Sequence, residues 1–272
     1  MPDCDHNCSA CGVDCPSRDA QSLRVQANEL SNVRKVFAVV SGKGGVGKSL
    51  TTSLLAVNAR RAGLNTAIID ADLTGPSIPK AFGLTEMVTA NETTMFPVRS
   101  KTGIETISIN LLMDDPAAPV IWRGPVLAGL IKQFWTDVAY GDIDELYIDM
   151  PPGTGDVPLT VFQSLPVDGI VVVTSPQDLV SLIVEKATRM ANMMNIPILA
   201  LVENMAYLDC PHCGERIYPY GKGGEEEAKR LGIPYYASLP IDPTLASHVD
   251  HGTIEDYEGE YLKELSAYLH SL

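Results

Sequence analysis

The sequence predicts an α/β fold built on a doubly wound, mainly parallel sheet. Three observations carry that prediction. Short apolar runs without polar alternation recur along the chain, as strands buried on both faces of a parallel sheet require. Segments with helical spacing fill the intervals between them, which is the alternation that builds such sheets. A glycine-rich stretch, 42–49, joins the first apolar run to the first helical segment, at a strand end where open α/β sheets hold their ligands.

In chain order, the first strand is 36–40, Val-Phe-Ala-Val-Val. Residues 48–62 read as a helix closing on Gly63, a residue suited to the left-handed turn after a helix. A strand over 66–69 follows, and 104–109 alternates as an edge or half-covered strand does. A helix is predicted over 125–139, where Val126, Leu127, Leu130, Ile131 and Phe134 share helical spacing. Strands at 146–148, 170–173 and 198–202 come next, with a helix over 179–194 before the last of them. A helix over 225–231 ends on Gly232, 236–239 is a last short strand, and 257–272 closes the chain as a helix. Loop-rich inserts at 87–101 and 210–224 interrupt the alternation, and loops of that length are usually functional or mobile. Residues 1–32 are expected to be a flexible cysteine-bearing tail, and 33–272 a single domain.

The chain has 272 residues, with 20 Lys and Arg against 34 Asp and Glu, a formal charge of −14. That balance argues against nucleic acid and anionic membrane as partners, since both are bound through basic patches. No apolar run reaches the roughly 18 residues of a membrane helix. The first residues, polar and acidic, lack the basic and apolar regions of a secretory signal. The cytoplasm is therefore the expected compartment. There, clustered cysteines point to metal or redox chemistry rather than disulfides.

Residues 42–49 fit the pattern G-x-x-x-x-G-K-S/T between a strand and a helix. Gly42, Gly44, Gly45 and Gly47, with Lys43 and Val46 between them, let backbone N–H groups turn toward phosphate oxygens. The helix N-terminus adds its dipole. Lys48 is placed to reach the β and γ phosphates, Ser49 to ligate Mg²⁺, and Leu50 follows within the nucleotide-binding set. A dinucleotide fingerprint needs no Lys-Ser pair there. Lys43 adds a second positive charge, unless it simply faces solvent. The form K-G-G-V-G-K-S resembles the deviant Walker A class that includes the nitrogenase iron protein, the Min and Par ATPases and arsenite pump ATPases. In that class this lysine reaches across a dimer interface to the partner's nucleotide, so the resemblance implies a nucleotide-sandwich homodimer.

Acidic clusters end two strands. Asp70 and Asp72 follow 66–69, and Asp149 follows 146–148, ahead of Pro-Pro-Gly-Thr-Gly and Asp156. Carboxylates at these ends face the ligand crevice. Asp149 has the placement of a Walker B residue holding Mg²⁺ through water, with Asp70 supporting Mg²⁺ or Lys48. Asp72 is the candidate to orient the attacking water, as its counterpart does in the deviant class. Residues 151–155 suit a switch responding to the γ-phosphate. Asp156 serves equally well as a cap.

The six cysteines divide as four and two. Cys210 and Cys213 form a C-x-x-C pair in a loop, the spacing of two ligands on one metal centre. Two ligands are too few for tetrahedral zinc or a four-iron cluster, and a two-fold axis would supply the other pair. A zinc knuckle or a redox dithiol is the alternative. Cys4, Cys8, Cys11 and Cys15 offer four thiolates within twelve residues, enough for a [4Fe–4S] cluster or for zinc. His6 and His212, beside cysteines, read as solvated loop residues or further ligands.

Together the runs 41–49, 70–79 (Asp-Ala-Asp-Leu-Thr-Gly-Pro-Ser-Ile-Pro), 122–125 (Trp-Arg-Gly-Pro) and 148–156 resemble the Mrp-type (ApbC-like) iron–sulfur carrier ATPases. Glu203-Asn-Met205, Gly221-Lys-Gly-Gly224 and Leu239-Pro-Ile-Asp242 extend the likeness from about residue 33 to the C-terminus. The resemblance implies ATP binding and slow ATP hydrolysis, coupled to loading [4Fe–4S] clusters or transferring them to recipient apoproteins, with a bridging cluster on Cys210 and Cys213. It implies that Asn204 reads adenine and that Pro240 and Asp242 form the other wall of the base site. The N-terminal cysteines resemble the four-cysteine extension of the cytosolic scaffold branch, with a shorter first gap.

Three other readings compete. A partitioning or division-site ATPase uses basic surfaces, whereas the C-terminal segment here carries Glu255, Asp256, Glu258, Glu260 and Glu264 against Lys263. A nitrogenase-like reductase needs cluster thiols between the phosphate loop and the later switch strand, an interval without cysteine here. A metal chaperone would use the phosphate loop as a binding switch without hydrolysis.

Overall fold

The apolar runs lack alternation because they feed two cores at once. In the computed structural model, which describes residues 23–72, 75, 77–113, 124–153, 155–176 and 180–272, the first strand is β1 (Ser31–Ser41). Val36, Ala38 and Val40 of β1 enter one hydrophobic core, while Phe37 and Val39 enter the other. That is the two-residue period of a strand with both faces covered. The first helix is α1 (Lys48–Arg61), followed by β2 (Thr66–Asp70), α2 (Ile78–Ala81), β3 (Thr89–Ala90), β4 (Met95–Phe96), β5 (Val98–Arg99) and β6 (Glu105–Ile107). Next come α3 (Gly124–Thr136), β7 (Gly141–Asp149), α4 (Asp156–Ser164), β8 (Gly169–Thr174), α5 (Val180–Met193) and β9 (Ile198–Asp209). The chain ends with β10 (Arg216–Ile217), α6 (Gly224–Arg230), β11 (Tyr235–Pro240), α7 (Pro243–Asp250) and α8 (Lys263–Ser271).

Among the described residues, nine strands form the main sheet in the order β10-β9-β8-β1-β7-β2-β6-β5, with β11 on β9. The pairs β1–β7, β1–β8, β8–β9, β2–β7, β2–β6 and β9–β11 are parallel. Only the margins are antiparallel, β9–β10 and β5–β6. One core packs Ile131, Phe134, Val161, Phe162 and Ala191 from α3, α4 and α5 on the sheet. The other packs Leu54, Leu55, Leu245, Leu265 and Leu269 from α1, α7 and α8. The expected doubly wound, mainly parallel α/β architecture is therefore the one observed. No helix among the described residues is long and apolar enough to cross a membrane.

Three expectations need correction. The segment 104–109 is not an edge: β6 lies between β2 and the short antiparallel β5, and all three of its residues are buried. The strand at 146–148 is the apolar half of a longer β7, whose polar start pairs with the polar start of β1 through Asn32–Asp142 and Arg34–Asp144 contacts. The helix expected over 257–272 begins only at Lys263. Arg61 takes the carbonyls of Tyr257 and Gly259 that a helix would have used, and that of Glu255 just ahead of them. Leu262 then turns left-handed, at φ +62°. Ahead of β1, the Val25 N–H bonds the Ser164 carbonyl and Asn28 bonds the end of α3, so 25–28 lie across α3 and α4.

Candidate nucleotide and thiol sites

The 42–49 stretch crosses from the end of β1 into α1. Gly45 and Gly47 adopt φ of +81° and +89°, a region closed to most side chains. These turns place the first helical N–H groups and the helix dipole at the loop mouth. The Ser41 hydroxyl donates to the Lys43 carbonyl at 3.1 Å, tying the loop's start, and the Lys43 side chain is exposed. Gly44, Gly45, Lys48, Ser49, Leu50 and Asp72 help line a cavity of about 330 Å³ at this point.

Behind the loop, Lys48 is only 6% exposed. Its Nζ lies 2.8 Å from Asp149 Oδ1 and 3.4 Å from Asp72 Oδ2. Ser49 Oγ donates to Asp149 Oδ2 at 2.5 Å, and Thr52 Oγ1 donates to Asp149 Oδ1 at 2.9 Å. The β2–β7 register sets Asp70 opposite Asp149 at the two strand ends. Asp70 is fully buried, accepting from the Ser108 hydroxyl at 3.1 Å and the Asp72 N–H at 3.2 Å. Burial, and then the Asp149 carboxylate beside it, hold its carboxyl well above the ordinary range. The structure thus brings Lys48, Ser49, Asp70, Asp72 and Asp149 into one cluster, with Asp72 at the cavity wall and Asp70 behind it.

Asn204, in β9, is buried against the loop. Its Nδ2 donates to the Val46 carbonyl at 2.9 Å. Pro240 is buried at the end of β11, paired with Tyr207. Asp242 caps α7, accepting from the Thr244 and Leu245 N–H groups at 2.7 and 3.2 Å and from the Tyr257 hydroxyl at 2.7 Å. Burial alone would raise its carboxyl, but these bonds outweigh it and hold the group below the ordinary range. None of the three lines the 330 Å³ cavity.

The two late thiols sit at the tip of the β9–β10 hairpin. Asp209 faces Arg216 across it, the Cys210 N–H bonds the Glu215 carbonyl at 2.9 Å, and the Gly214 N–H bonds the Cys210 carbonyl at 2.8 Å. Backbone hydrogen bonds from His212 and Cys213, then the Cys213 side chain, hold the Cys210 thiol below its ordinary value. Cys213 is exposed and Cys210 half-buried. Among the described residues, no third His, Cys, Asp or Glu side chain joins them into a metal-binding group. Arg216 stacks 3.9 Å above the Tyr207 ring at the hairpin's base.

Some of these contacts were not anticipated. Thr52 lies one helical turn beyond Ser49, so its approach to Asp149 was readable from helical spacing. Ser108 on Asp70 and Tyr236 on Glu203, at 2.5 Å, arise from strand neighbours distant in sequence and had no local signal. Cys4, His6, Cys8, Cys11, Cys15, Trp122, Arg123 and Thr154 lie outside the described residues, as does the Asp156 side chain.

A helix opened by left-handed glycines, with a buried lysine and a serine meeting a strand-end aspartate, is how a P-loop nucleoside triphosphatase handles a polyphosphate. The fold and site assign this chain to that class. Comparison with known proteins narrows it: the ParA model for NUBPL iron-transfer P-loop NTPases matches residues 32–270, and the chain belongs to that family. An iron–sulfur cluster carrier protein of Clostridium perfringens is 43% identical over 238 residues, covering 84% of each chain. One from Methanocaldococcus jannaschii is 40% identical over 260 residues, covering 93% of this chain and 90% of its own. A solved nucleotide-binding protein of Archaeoglobus fulgidus, in complex with ADP, matches with a TM-score of 0.76 and 43% identity. The match covers 84% of this chain and 90% of that one. The family is the one implied by the resemblance in the sequence motifs.

Proposed function

We propose that this chain is an ATP-dependent carrier that binds a [4Fe–4S] cluster and hands it to recipient apoproteins in the cytoplasm. The observation that carries the reading is the hairpin tip presenting Cys210 and Cys213 as a pair with no third ligand among the described residues. It stands in a P-loop NTPase whose relatives are named as iron–sulfur cluster carriers. Two thiolates coordinate half of a four-iron cluster, and a two-fold axis brings an identical pair to the other half. The cargo is therefore shared by a homodimer, and Lys43 reaches toward the partner's nucleotide. Cys4, Cys8, Cys11 and Cys15 form a second thiolate site.

On nucleotide binding, Lys48 exchanges Asp149 and Asp72 for β- and γ-phosphate oxygens. Asp72, released at the cavity wall, orients the attacking water. Ser49 and Asp149 fit Mg²⁺, because they converge as oxygen donors suited to a hard cation; bound there, the ion would neutralise charge on the phosphates. Asp70 backs this pair, and the base lies between Asn204 and the 240–242 loop. Hydrolysis is slow because it times loading or release rather than sustaining turnover.

The test is anaerobic reconstitution with iron and sulfide. In a chain lacking residues 1–22, and with them the four N-terminal cysteines, about four of each per dimer is expected, lost in the Cys210→Ser/Cys213→Ser double variant. Zinc without iron, or full cluster retention by that double variant in a chain lacking residues 1–22, refutes the reading. ATP should accelerate activation of a [4Fe–4S]-dependent apoenzyme, and Lys48→Ala should remove the acceleration.

A further inference from the structure

β9 serves both functional ends of the molecule. Asn204 lies within it against the phosphate loop, and Cys210 follows its last residue. Both ends of the buried Asn204 amide are engaged. Nδ2 donates to the Val46 carbonyl at 2.9 Å, and Oδ1 accepts from the Met205 N–H at 2.9 Å. These partners fix the amide's orientation, because a flip would oppose acceptor to acceptor and donor to donor. The approach to the loop is close: a Cβ at Gly47 would fall 2.0 Å from Nδ2.

The next residue is unusual for a strand. Met205 has φ +57°, a left-handed conformation disfavoured for a residue with a side chain. Pairing with β11 slips at the same place: Ser238 faces Glu203, but Pro240 faces Tyr207. Four steps of β9 thus run against two of β11. Such a bulge bends its strand and re-aims what lies beyond it. Beyond it lie Leu208 and Asp209, paired with β10, and then the cysteine tip.

We infer that Asn204 is a positioning residue coupling the phosphate loop to the cysteine hairpin, by gripping the loop at Val46 and the β9 bulge at Met205. Phosphates that draw the loop amides inward shift the Val46 carbonyl. Asn204 follows it, and the bulge turns Cys210 and Cys213. By linkage, cargo bound at the hairpin alters nucleotide affinity by the same factor. This deepens the carrier reading and rests on it for its use, but its geometry stands without a cluster.

The experiment measures maleimide alkylation rates of Cys210 and Cys213, resolved by peptide mass spectrometry. It uses the cluster-free full chain, without nucleotide and with a non-hydrolysable ATP analogue saturating each variant. The wild type should respond to the analogue by about fivefold or more, the lower end of allosteric couplings. Asn204→Asp keeps the acceptor for Met205 but sets a carboxylate against the Val46 carbonyl, and should abolish the response. Met205→Gly relieves the left-handed backbone and leaves the Val46 contact. It should keep the nucleotide affinity and lose most of the response, so it decides the matter if Asn204→Asp does not fold. A wild type without a response, or a full response in Met205→Gly, overturns the inference. So does an Asn204→Asp variant that loses ATP-over-GTP preference but keeps the thiol response, since Asn204 then serves the base alone. Failed cluster reconstitution refutes the carrier reading and leaves this readout intact.

Discussion

Ser49 Oγ and Asp149 Oδ2 meet at 2.5 Å, although 100 positions separate them in sequence. The contact joins the start of α1 to the end of β7, and Thr52 steadies the other carboxylate oxygen. Asp149→Asn keeps the shape and removes the charge. ATP hydrolysis in that variant should fall by about 100-fold or more, the usual cost of losing a preorganised electrostatic group. Thr52→Val leaves the charge and the Lys48 contact but removes the hydroxyl that orients this oxygen, and should cost about 10–100-fold in Mg²⁺ affinity or rate. Phosphate release across a Mg²⁺ titration reads both.

Lys48 has a structural role besides its expected part in hydrolysis. It is the near cation for the buried Asp149 and for Asp72. Lys48→Ala should abolish hydrolysis and also destabilise the fold by about 3–5 kcal/mol, since it strands a buried charge. The double variant Lys48→Ala/Asp149→Asn should recover part of that loss, because the two residues act as one unit. Urea unfolding of the two variants checks this, and additive losses would contradict it.

What was legible in the sequence was what local chemistry dictates. The 42–49 loop, the flanking strands and the strand-end aspartates were readable because glycine freedom, apolar runs and strand termini are properties of short segments. Less was legible where distant partners decide. Arg61 of α1 takes the carbonyls that would have continued a helix through 257–262, and no pattern within that segment announces it. β6 looked like an edge because β5, which covers it, has two residues. Asp242 was read through the resemblance as a base-site wall, yet Asp242-Pro243 is also a helix start, an N-cap followed by proline at the first position. α7 begins there.

Burial gives Asp70 a pH signature. Its folded carboxyl is raised, so the folded chain holds a proton that the unfolded chain releases above about pH 3.9. Stability from this group is complete below that value and declines as pH rises through the folded pKa. Asp70→Asn should therefore change little near pH 4 and stabilise at pH 7, by about 1.4 kcal/mol for each pKa unit of displacement. Denaturant midpoints at the two pH values test it; equal effects at both would contradict it.

Asp242 should behave oppositely. Its folded carboxyl is lowered because bonds from Tyr257 and the α7 N–H groups outweigh burial. Its stabilisation is present above an unfolded value of about 3.9 and is lost as pH falls through the folded pKa. Asp242→Ala should cost about 0.5–2 kcal/mol at pH 7, the usual effect of losing an N-cap. The difference from wild type should shrink in acid.

Two loop glycines separate backbone demand from mere composition. Gly47 combines φ +89° with a contact that a Cβ would violate, 2.0 Å from Asn204 Nδ2. Gly44 has no atom within 4 Å of its would-be Cβ, and its φ lies outside the left-handed region. Gly47→Ala must therefore strain the backbone and displace Asn204 together, costing about 1–3 kcal/mol from the dihedral alone. Gly44→Ala should stay within about 0.5 kcal/mol, as open surface positions do. Calorimetric unfolding without nucleotide reads this contrast directly. Nucleotide then adds a second readout: Gly47→Ala should show little ADP-induced rise in melting temperature, because its loop no longer presents converging N–H groups, whereas Gly44→Ala should retain a clear rise. Equal destabilisation of the two variants would mean that the loop's shape does not depend on the close approach of Asn204.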